Sequence, residues 1–283
     1  MFGFLNIYKP QGKTSHDVVA ILRRITKIKQ IGHTGTLDPF AEGVLPICIG
    51  KSTRLIEYLD DDKAYIGTVK LGESTSTYDT EGEVVKSSEK RVKLQEVELV
   101  LEQFRGEILQ LPPIYSAIKV NGKKLYEYAR RGEEVKIEPR KVNISKLEVV
   151  SFDEDKQLLE LYIECSKGTY IRSIANDLGE SLGCYGHLIK LVRTKAGKFE
   201  LDQTVKLDEL QTKEDVQAKL IYPLEYLNYP KYELNESEYE KVSHGMGFSA
   251  KINDGFVILV ANKKLVAVAQ VEQQKVKISK VFI

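Results

Sequence analysis

The chain has 283 residues, 42% of them hydrophobic, and 42 lysines and arginines against 41 acids, for a formal net charge of +1. That is ample for one large domain plus a small one. It gives no global charge bias toward nucleic acid or membrane, so any polyanion-binding face must come from local clustering. Cys48, Cys165 and Cys184 show neither C-x-x-C spacing nor nearby paired histidines, which argues against zinc, against any other metal cluster and against a disulfide framework. No apolar run approaches the ~20 residues of a membrane span. The first residues lack the layout of a signal peptide. The expectation is a soluble cytoplasmic protein.

Gly3 to Tyr8 reads as a short buried strand, and Lys9-Pro10-Gln11-Gly12-Lys13-Thr14-Ser15 as a turn. Thr14 or Ser15 can cap the next helix, where Val18, Ile21, Leu22, Ile25 and Ile28 recur at spacings of three and four. The opposite face carries Arg23, Arg24, Lys27 and Lys29. Lys9 to Lys29 holds six basic residues and one acid, either a solvated helix face or a phosphate-facing surface. Ser15-His16-Asp17 has the letters of a hydrolase triad, but adjacent residues cannot converge on one point. Gly50-Lys51-Ser52-Thr53 lacks the upstream glycine of a phosphate-binding loop; Leu45 stands there.

Gly32 to Pro46 places three glycines and two prolines between apolar segments, so it is an irregular loop rather than a helix or strand throughout. A polar loop on a rigid scaffold is where chemistry tends to sit. Locally, Asp38 followed by Pro39 reads as a helix N-cap, and His33 as a hydrogen-bonded loop residue. Thr53 to Leu59 suggests a short helix. Tyr65 to Gly72 is a strand with Tyr65 as a half-buried aromatic. Glu73 to Glu83 is a polar loop, and Leu94 to Phe104 an amphipathic helix; their acidic charge is expected to face away from any RNA.

Lys119 to Lys141 carries eight basic residues and four acids with Tyr126 and Tyr128 interleaved, a composition suited to a nucleic-acid arm or to a solvated helix. Val142 to Phe152 and Leu158 to Cys165 read as neighbouring strands. A glycine turn then enters a helix with Ile171, Ile174, Ala175, Leu178 and Leu182 on its buried face. His187 to Lys198 has four basic residues and no acid. After Pro230, a short helix at Tyr239 to His244 and β-type runs at Phe256 to Ala261, Leu265 to Val271 and Val276 to Ile283 suggest a small barrel.

Three stretches together resemble the pseudouridine synthases of the TruB type. They are Gly32-His33-Thr34-Gly35-Thr36-Leu37-Asp38-Pro39 through Pro46, Leu111-Pro112-Pro113-Ile114-Tyr115-Ser116 through Gly132, and Ser166-Lys167-Gly168-Thr169-Tyr170-Ile171-Arg172. Lys9-Pro10 through Ser15 and Lys63-Ala64-Tyr65 match the same family. The match runs in order over residues 3 to 200. It implies an α+β pseudouridine-synthase fold: a mixed, largely antiparallel central sheet flanked by helices, an RNA-gripping insertion at about 115–141, and a small C-terminal PUA-like barrel. The implied division is 1–229 catalytic and 230–283 RNA-binding.

The activity implied is isomerisation of uridine-55 in the T arm of tRNA, without cofactor or metal and by a monomer. Asp38 is then the catalytic aspartate, with Arg172 as its partner. His33 fills the space left by the flipped nucleotide, Tyr65 stacks on the uracil, and Tyr170 and Leu191 wall the pocket. Tyr65 is also a candidate proton acceptor. Lys9, Lys123, Lys124, Arg130, Arg131 and Arg193 are the candidate RNA contacts. Glu42 departs from this picture, because a second carboxylate facing the pocket would raise the Asp38 pKa; it is expected to point outward. The rival readings are a non-catalytic tRNA-binding or folding protein, a guide-dependent synthase acting on ribosomal RNA, and an Asp-dependent nucleoside hydrolase.

Overall fold

A computed structural model describes all 283 residues. The chain begins with β1 (Gly3–Lys9), α1 (Ser15–Thr26), β2 (Ile31–His33) and β3 (Glu42–Ile49), then β4 (Lys63–Leu71), β5 (Glu73–Thr75) and β6 (Val84–Ser87). Next come α2 (Leu94–Leu101), β7 (Gly106–Gln110), β8 (Lys119–Val120), β9 (Lys123–Lys124) and α3 (Leu125–Arg131). The middle of the chain supplies β10 (Arg140–Asp153), β11 (Leu158–Cys165), α4 (Ile171–Ser181) and β12 (Gly186–Ala196). β13 (Phe199–Glu200), β14 (Val205–Lys206) and α5 (Lys213–Ala218) follow. The last part holds β15 (Lys231–Glu233), α6 (Glu236–Ser243), β16 (Phe248–Ser249), β17 (Gly255–Ala261), β18 (Lys264–Glu272) and β19 (Lys275–Val281).

One ten-stranded sheet runs in the order β14-β1-β3-β12-β4-β11-β10-β7, with β13 paired to β12 and β2 to β3. Only the β1–β14 and β3–β12 pairs are parallel, so the sheet is mixed and largely antiparallel as the family resemblance implies. β17, β18 and β19 form an antiparallel meander, with β15 and β16 closing a second, curled sheet of five strands.

Local chemistry explains the helices that matter. Thr14 caps α1, accepting from the Asp17 N–H while Asp17 accepts from the Thr14 N–H, a reciprocal box that satisfies orphan donors. α1 buries Val18, Val19 and Leu22 over β1 and β3, and α4 buries Ile171, Ile174, Ala175 and Leu178 over β4 and β12. Gly179 lets α4 close on β12: a Cβ there would meet the Gly186 nitrogen at 2.2 Å. The two sheets share a cluster in which Phe4, Val44, Leu55 and Phe199 meet Ile258, Leu265 and Phe282.

Three details depart from the sequence reading. Asp38 caps no helix: the Ala41 N–H closes a turn on the Asp38 carbonyl at 3.1 Å, and β3 begins at Glu42. The segment after Ile49 is a 3-10 run from Gly50 to Tyr58 rather than a helix opening at Thr53. The polar loop after Gly72 is a hairpin of β5 and β6 whose tip is folded inward, burying Ser74, Thr75, Thr77 and Asp79.

Candidate active site

The Gly32–Pro46 loop is fixed from beneath by the segment before α1. The Ser15 hydroxyl accepts from the Leu37 N–H at 2.9 Å and lies 3.2 Å from the Leu37 carbonyl. The Gly12 N–H donates to the Pro39 carbonyl at 2.8 Å. Lys9 donates from its ammonium to the carbonyls of Lys13 at 2.6 Å, Pro10 at 3.0 Å and Pro39 at 3.3 Å. From the other side, Arg193 of β12 donates to Val44 at 2.6 Å, Gly35 at 3.1 Å and Thr36 at 3.4 Å. Gly43 makes this approach possible, since a Cβ there would sit 2.3 Å from the Arg193 carbonyl oxygen.

These bonds correct two expectations. Lys9 and Arg193 are read from sequence as RNA contacts, yet both have no exposed surface. Buried cations must be matched by acceptors, and here loop carbonyls supply them, so their charge stabilises the loop instead of facing a polyanion. Burial lowers the Lys9 pKa to about 8, against the pull of Asp38.

A cavity of about 560 Å³ opens over the loop. Thr34 to Pro39 form one wall, Tyr65 of β4 and Leu191 of β12 the floor side, Lys167 to Arg172 a second wall, and Lys63 of β4 with Tyr115, Ser116, Ala117 and Tyr126 a rim. Asp38, Tyr65, Tyr170, Arg172 and Leu191 therefore converge. His33 stands beside the cavity at the end of β2, its ring edge-on to His16 at 5.4 Å with a buried, unpartnered Nδ1.

Arg172 sits in the first turn of α4, where Tyr170 precedes the helix. The Tyr170 backbone is held by Gln110 of β7, which accepts from its N–H at 2.7 Å and donates to its carbonyl at 3.0 Å. The Arg172 Nη2 donates to Asp38 Oδ1 at 3.2 Å, and Nε lies 2.9 Å from Oδ2, a charge contact too bent for a hydrogen bond. Further donations run to the carbonyls of Thr77 at 3.1 Å and Tyr115 at 3.0 Å. The guanidinium thus ties the Gly32–Pro46 loop to the inward hairpin tip and to the start of the 115–141 insertion.

Asp79 is the residue that sequence reasoning missed. It lies 3.4 Å from the Arg172 Nη1, and its Oδ1 accepts from the Thr77 hydroxyl at 2.5 Å and the Glu81 N–H at 2.9 Å. A threonine, an aspartate and Gly82 within six residues signal a tight turn, but nothing in that pattern says the turn points inward. Glu42, the carboxylate that drew concern, does not line the cavity and engages the Tyr8 hydroxyl. The second carboxylate near Asp38 is Asp79.

Burial pushes the Asp38 carboxyl up, Arg172 opposes this, and Asp79 adds to it, leaving the group above the ordinary carboxylate range. Burial raises Tyr65 to about 12 despite the nearby Arg193 charge, so its phenol is neutral near pH 7. Burial also raises Tyr170, and the Ser116 hydroxyl partly offsets it. His33 is lowered to about 4 by burial and by the charges of His16 and Arg193.

The 115–141 insertion carries the β8–β9 hairpin and α3, anchored by buried Leu125. Lys123, Arg130 and Arg131 are exposed and Lys124 half-buried. Lys124 and Arg130 both lie 5.3 Å from the Tyr126 ring centre.

Residues 23–171 match the family model described as TruB family pseudouridylate synthase, N-terminal domain, and residues 172–227 the model for the tRNA pseudouridylate synthase B C-terminal domain. The chain belongs to the TruB family. A protein of Caldanaerobacter subterraneus subsp. tengcongensis named tRNA pseudouridine synthase B is 42% identical, covering 99% of each chain. One of the same name from Clostridioides difficile is 47% identical over 79% of this chain and 75% of its own. Among solved structures, a Cbf5-Nop10-Gar1 complex contains a chain 27% identical, with TM-score 0.75, covering 100% of this chain and 85% of that one. An H/ACA RNP bound to a substrate RNA containing 2'-deoxyuridine contains another, 25% identical with TM-score 0.71 and the same coverage.

Proposed function

We propose that this chain isomerises uridine-55 to pseudouridine in the T-arm stem-loop of tRNA, acting alone. The observation that carries the reading is Asp38, ion-paired to Arg172 in an aromatic-walled cavity of a size suited to one nucleotide. The relatives at 42% and 47% identity support tRNA as the substrate. The uridine leaves the helical stack and enters the cavity, with His33 taking its place. Tyr65 stacks on the uracil, and Tyr170 and Leu191 confine it.

The reaction breaks the bond from N1 to the ribose and forms one from C5; the C5 proton goes to solvent and N1 takes one up, so it needs no oxidant and no external energy. Attack at the sugar and addition to the uracil ring make the same demand on the protein: an ionised carboxylate in a dry site and walls that retain the detached base. Arg172 favours that ionised form. Tyr65, a neutral phenol in the resting enzyme, becomes a proton acceptor only if Arg193 stabilises its phenolate. On this reading residues 1–229 form the catalytic unit, residues 230–283 a PUA-like RNA-binding unit, and the enzyme works as a cytoplasmic monomer.

The solved neighbours come from a multi-protein complex and a ribonucleoprotein, which favours a second reading, a guide-dependent synthase. The test is tritium release from tRNA labelled at uracil C5, with purified protein alone. About one label released per tRNA by the wild type, and a loss of at least about 10²-fold in Asp38→Asn, about 2.7 kcal/mol of transition-state stabilisation, supports the first reading. Near-normal turnover by Asp38→Asn removes the assignment of Asp38. No release until a guide RNA and partners are added supports the second reading.

A further inference from the structure

Three cations line the cavity. Arg172 is matched by Asp38 and Asp79, and Lys167 by Asp61. Lys63 is the third, and no carboxylate lies within 4 Å of its ammonium; its one hydrogen bond runs to the Asp61 backbone carbonyl at 2.8 Å. Lys63 opens β4 two residues before Tyr65, and alternation along a strand puts both on the same face. A Cβ on Gly35 would lie 3.4 Å from the Lys63 Cε, so the lysine stem runs along the catalytic loop.

Its neighbours Asp61 and Lys167 are half to three-quarters exposed, which places this ammonium at the mouth of the cavity rather than on its floor. A half-buried ammonium without a counter-ion is unfavourable, and burial together with the Arg193 charge holds its pKa below the usual lysine range. It gains from any anion that arrives. A nucleotide that enters base-first leaves its phosphodiester groups at the mouth. We propose that Lys63 binds a phosphodiester flanking the flipped uridine, holding the backbone still while the base detaches and turns. The inference rests on the base-flipping reading above. The phosphate keeps its charge throughout the reaction, so the contact is the same in ground and transition states and acts on KM rather than kcat.

The test uses Lys63→Met and Lys63→Arg with tRNA and with a T-arm stem-loop. Steady-state tritium release gives KM and kcat, and binding is followed from about 50 to 300 mM salt. A lost phosphate contact lowers the slope of log affinity against log salt by about 0.7 to 0.9. Lys63→Met is expected to show that drop and about a tenfold higher KM, as for a lost charge-assisted hydrogen bond, with kcat nearly unchanged; Lys63→Arg restores both. Stem-loops with a neutral methylphosphonate on either side of the target uridine probe the wild type without any variant. One of the two should weaken wild-type binding to the Lys63→Met level and have no further effect on that variant. An unchanged salt slope in Lys63→Met overturns the proposal, as do methylphosphonate penalties that add in full to it. A fall in kcat alone also overturns it and assigns Lys63 to support of the Gly35 loop. If the wild type binds RNA but releases no tritium, the functional reading fails, while the salt and methylphosphonate binding measurements still decide the phosphate contact.

Discussion

Arg172 faces two carboxylates with one guanidinium: its Nη2 donates to Asp38 at 3.2 Å while its Nη1 lies 3.4 Å from Asp79. The three groups carry a net negative charge in a site where Arg172 and Asp79 are almost fully buried. Asp79 therefore does two opposed things. It orients Arg172 through the Thr77 turn, and it pushes the Asp38 carboxyl up.

This opposition predicts how activity depends on pH. On the role proposed for Asp38 the reaction uses its ionised form, so activity is present above the Asp38 pKa and lost as pH falls through it. Because that pKa is raised, the acid limb of kcat/KM should lie above the ordinary carboxylate value of about 3.9. Asp79→Asn removes a like charge and should move the limb to lower pH, while slowing the reaction by loosening Arg172. Arg172→Met removes the opposing cation and should move the limb to higher pH. Profiles of kcat/KM against pH for the three proteins check both directions, and a limb that stays put in both variants sinks the account.

A second prediction separates structural from RNA-facing cations. Lys9→Met and Arg193→Met each strand several loop carbonyls without a donor, and hydrogen bonds to charged groups contribute roughly 1.5–3 kcal/mol each. Both variants should unfold at lower urea concentration, and the residual folded protein should bind RNA with an unchanged salt slope. A reduced slope with normal stability would return these residues to the RNA face.

The burial of these two cations lies beyond what sequence alone can tell. The spacing of Val18, Leu22, Ile171, Ala175 and Leu178 revealed α1 and α4, because apolar residues recurring every 3.6 positions line up on one face only in a helix. The run of short β-type segments after Pro230 revealed the second sheet for a similar reason. Asp38, Tyr65, Tyr170, Arg172 and Leu191 were legible through the family's motifs, and they do converge. Lys9 and Arg193 read as exposed because charged residues are seldom fully buried, and the acceptors that match them are backbone carbonyls, distant in sequence for Arg193 and, for Lys9, two in its own turn and one at Pro39. Nothing in the sequence marks Asp79, whose neighbours are those of any surface turn; only the fold of the hairpin tip brings it to Arg172.

His33 supplies a third prediction, about stability. Its folded pKa of about 4 lies below the unfolded value near 6.5. On acidification the unfolded chain takes up a proton first, so the stability His33 contributes is full above about pH 6.5 and is lost as pH falls toward 4. His33→Asn should therefore lose less stability than the wild type between pH 7 and 4. Parallel urea titrations across that range read the difference, and superimposable pH profiles would refute it.

The last prediction divides four of the insertion's cations into two pairs. Lys123 and Arg131 lie 3.9 and 3.6 Å from Glu133 at the surface, contacts too exposed to hold them strongly. They are free to exchange Glu133 for RNA phosphate, so replacing both with methionine should reduce the salt slope by up to about 0.7–0.9 per contact and leave kcat intact. Lys124 and Arg130 differ because both lie 5.3 Å from the Tyr126 ring, and Tyr126 forms part of the cavity rim. Losing these cation–π contacts, each about 0.5–1 kcal/mol at an exposed site, frees the ring as well as removing charge. The Lys124→Met/Arg130→Met protein should therefore show both a lower salt slope and a lower kcat. If the two double variants behave alike, Tyr126 has no part in shaping the cavity mouth and the insertion acts through charge alone.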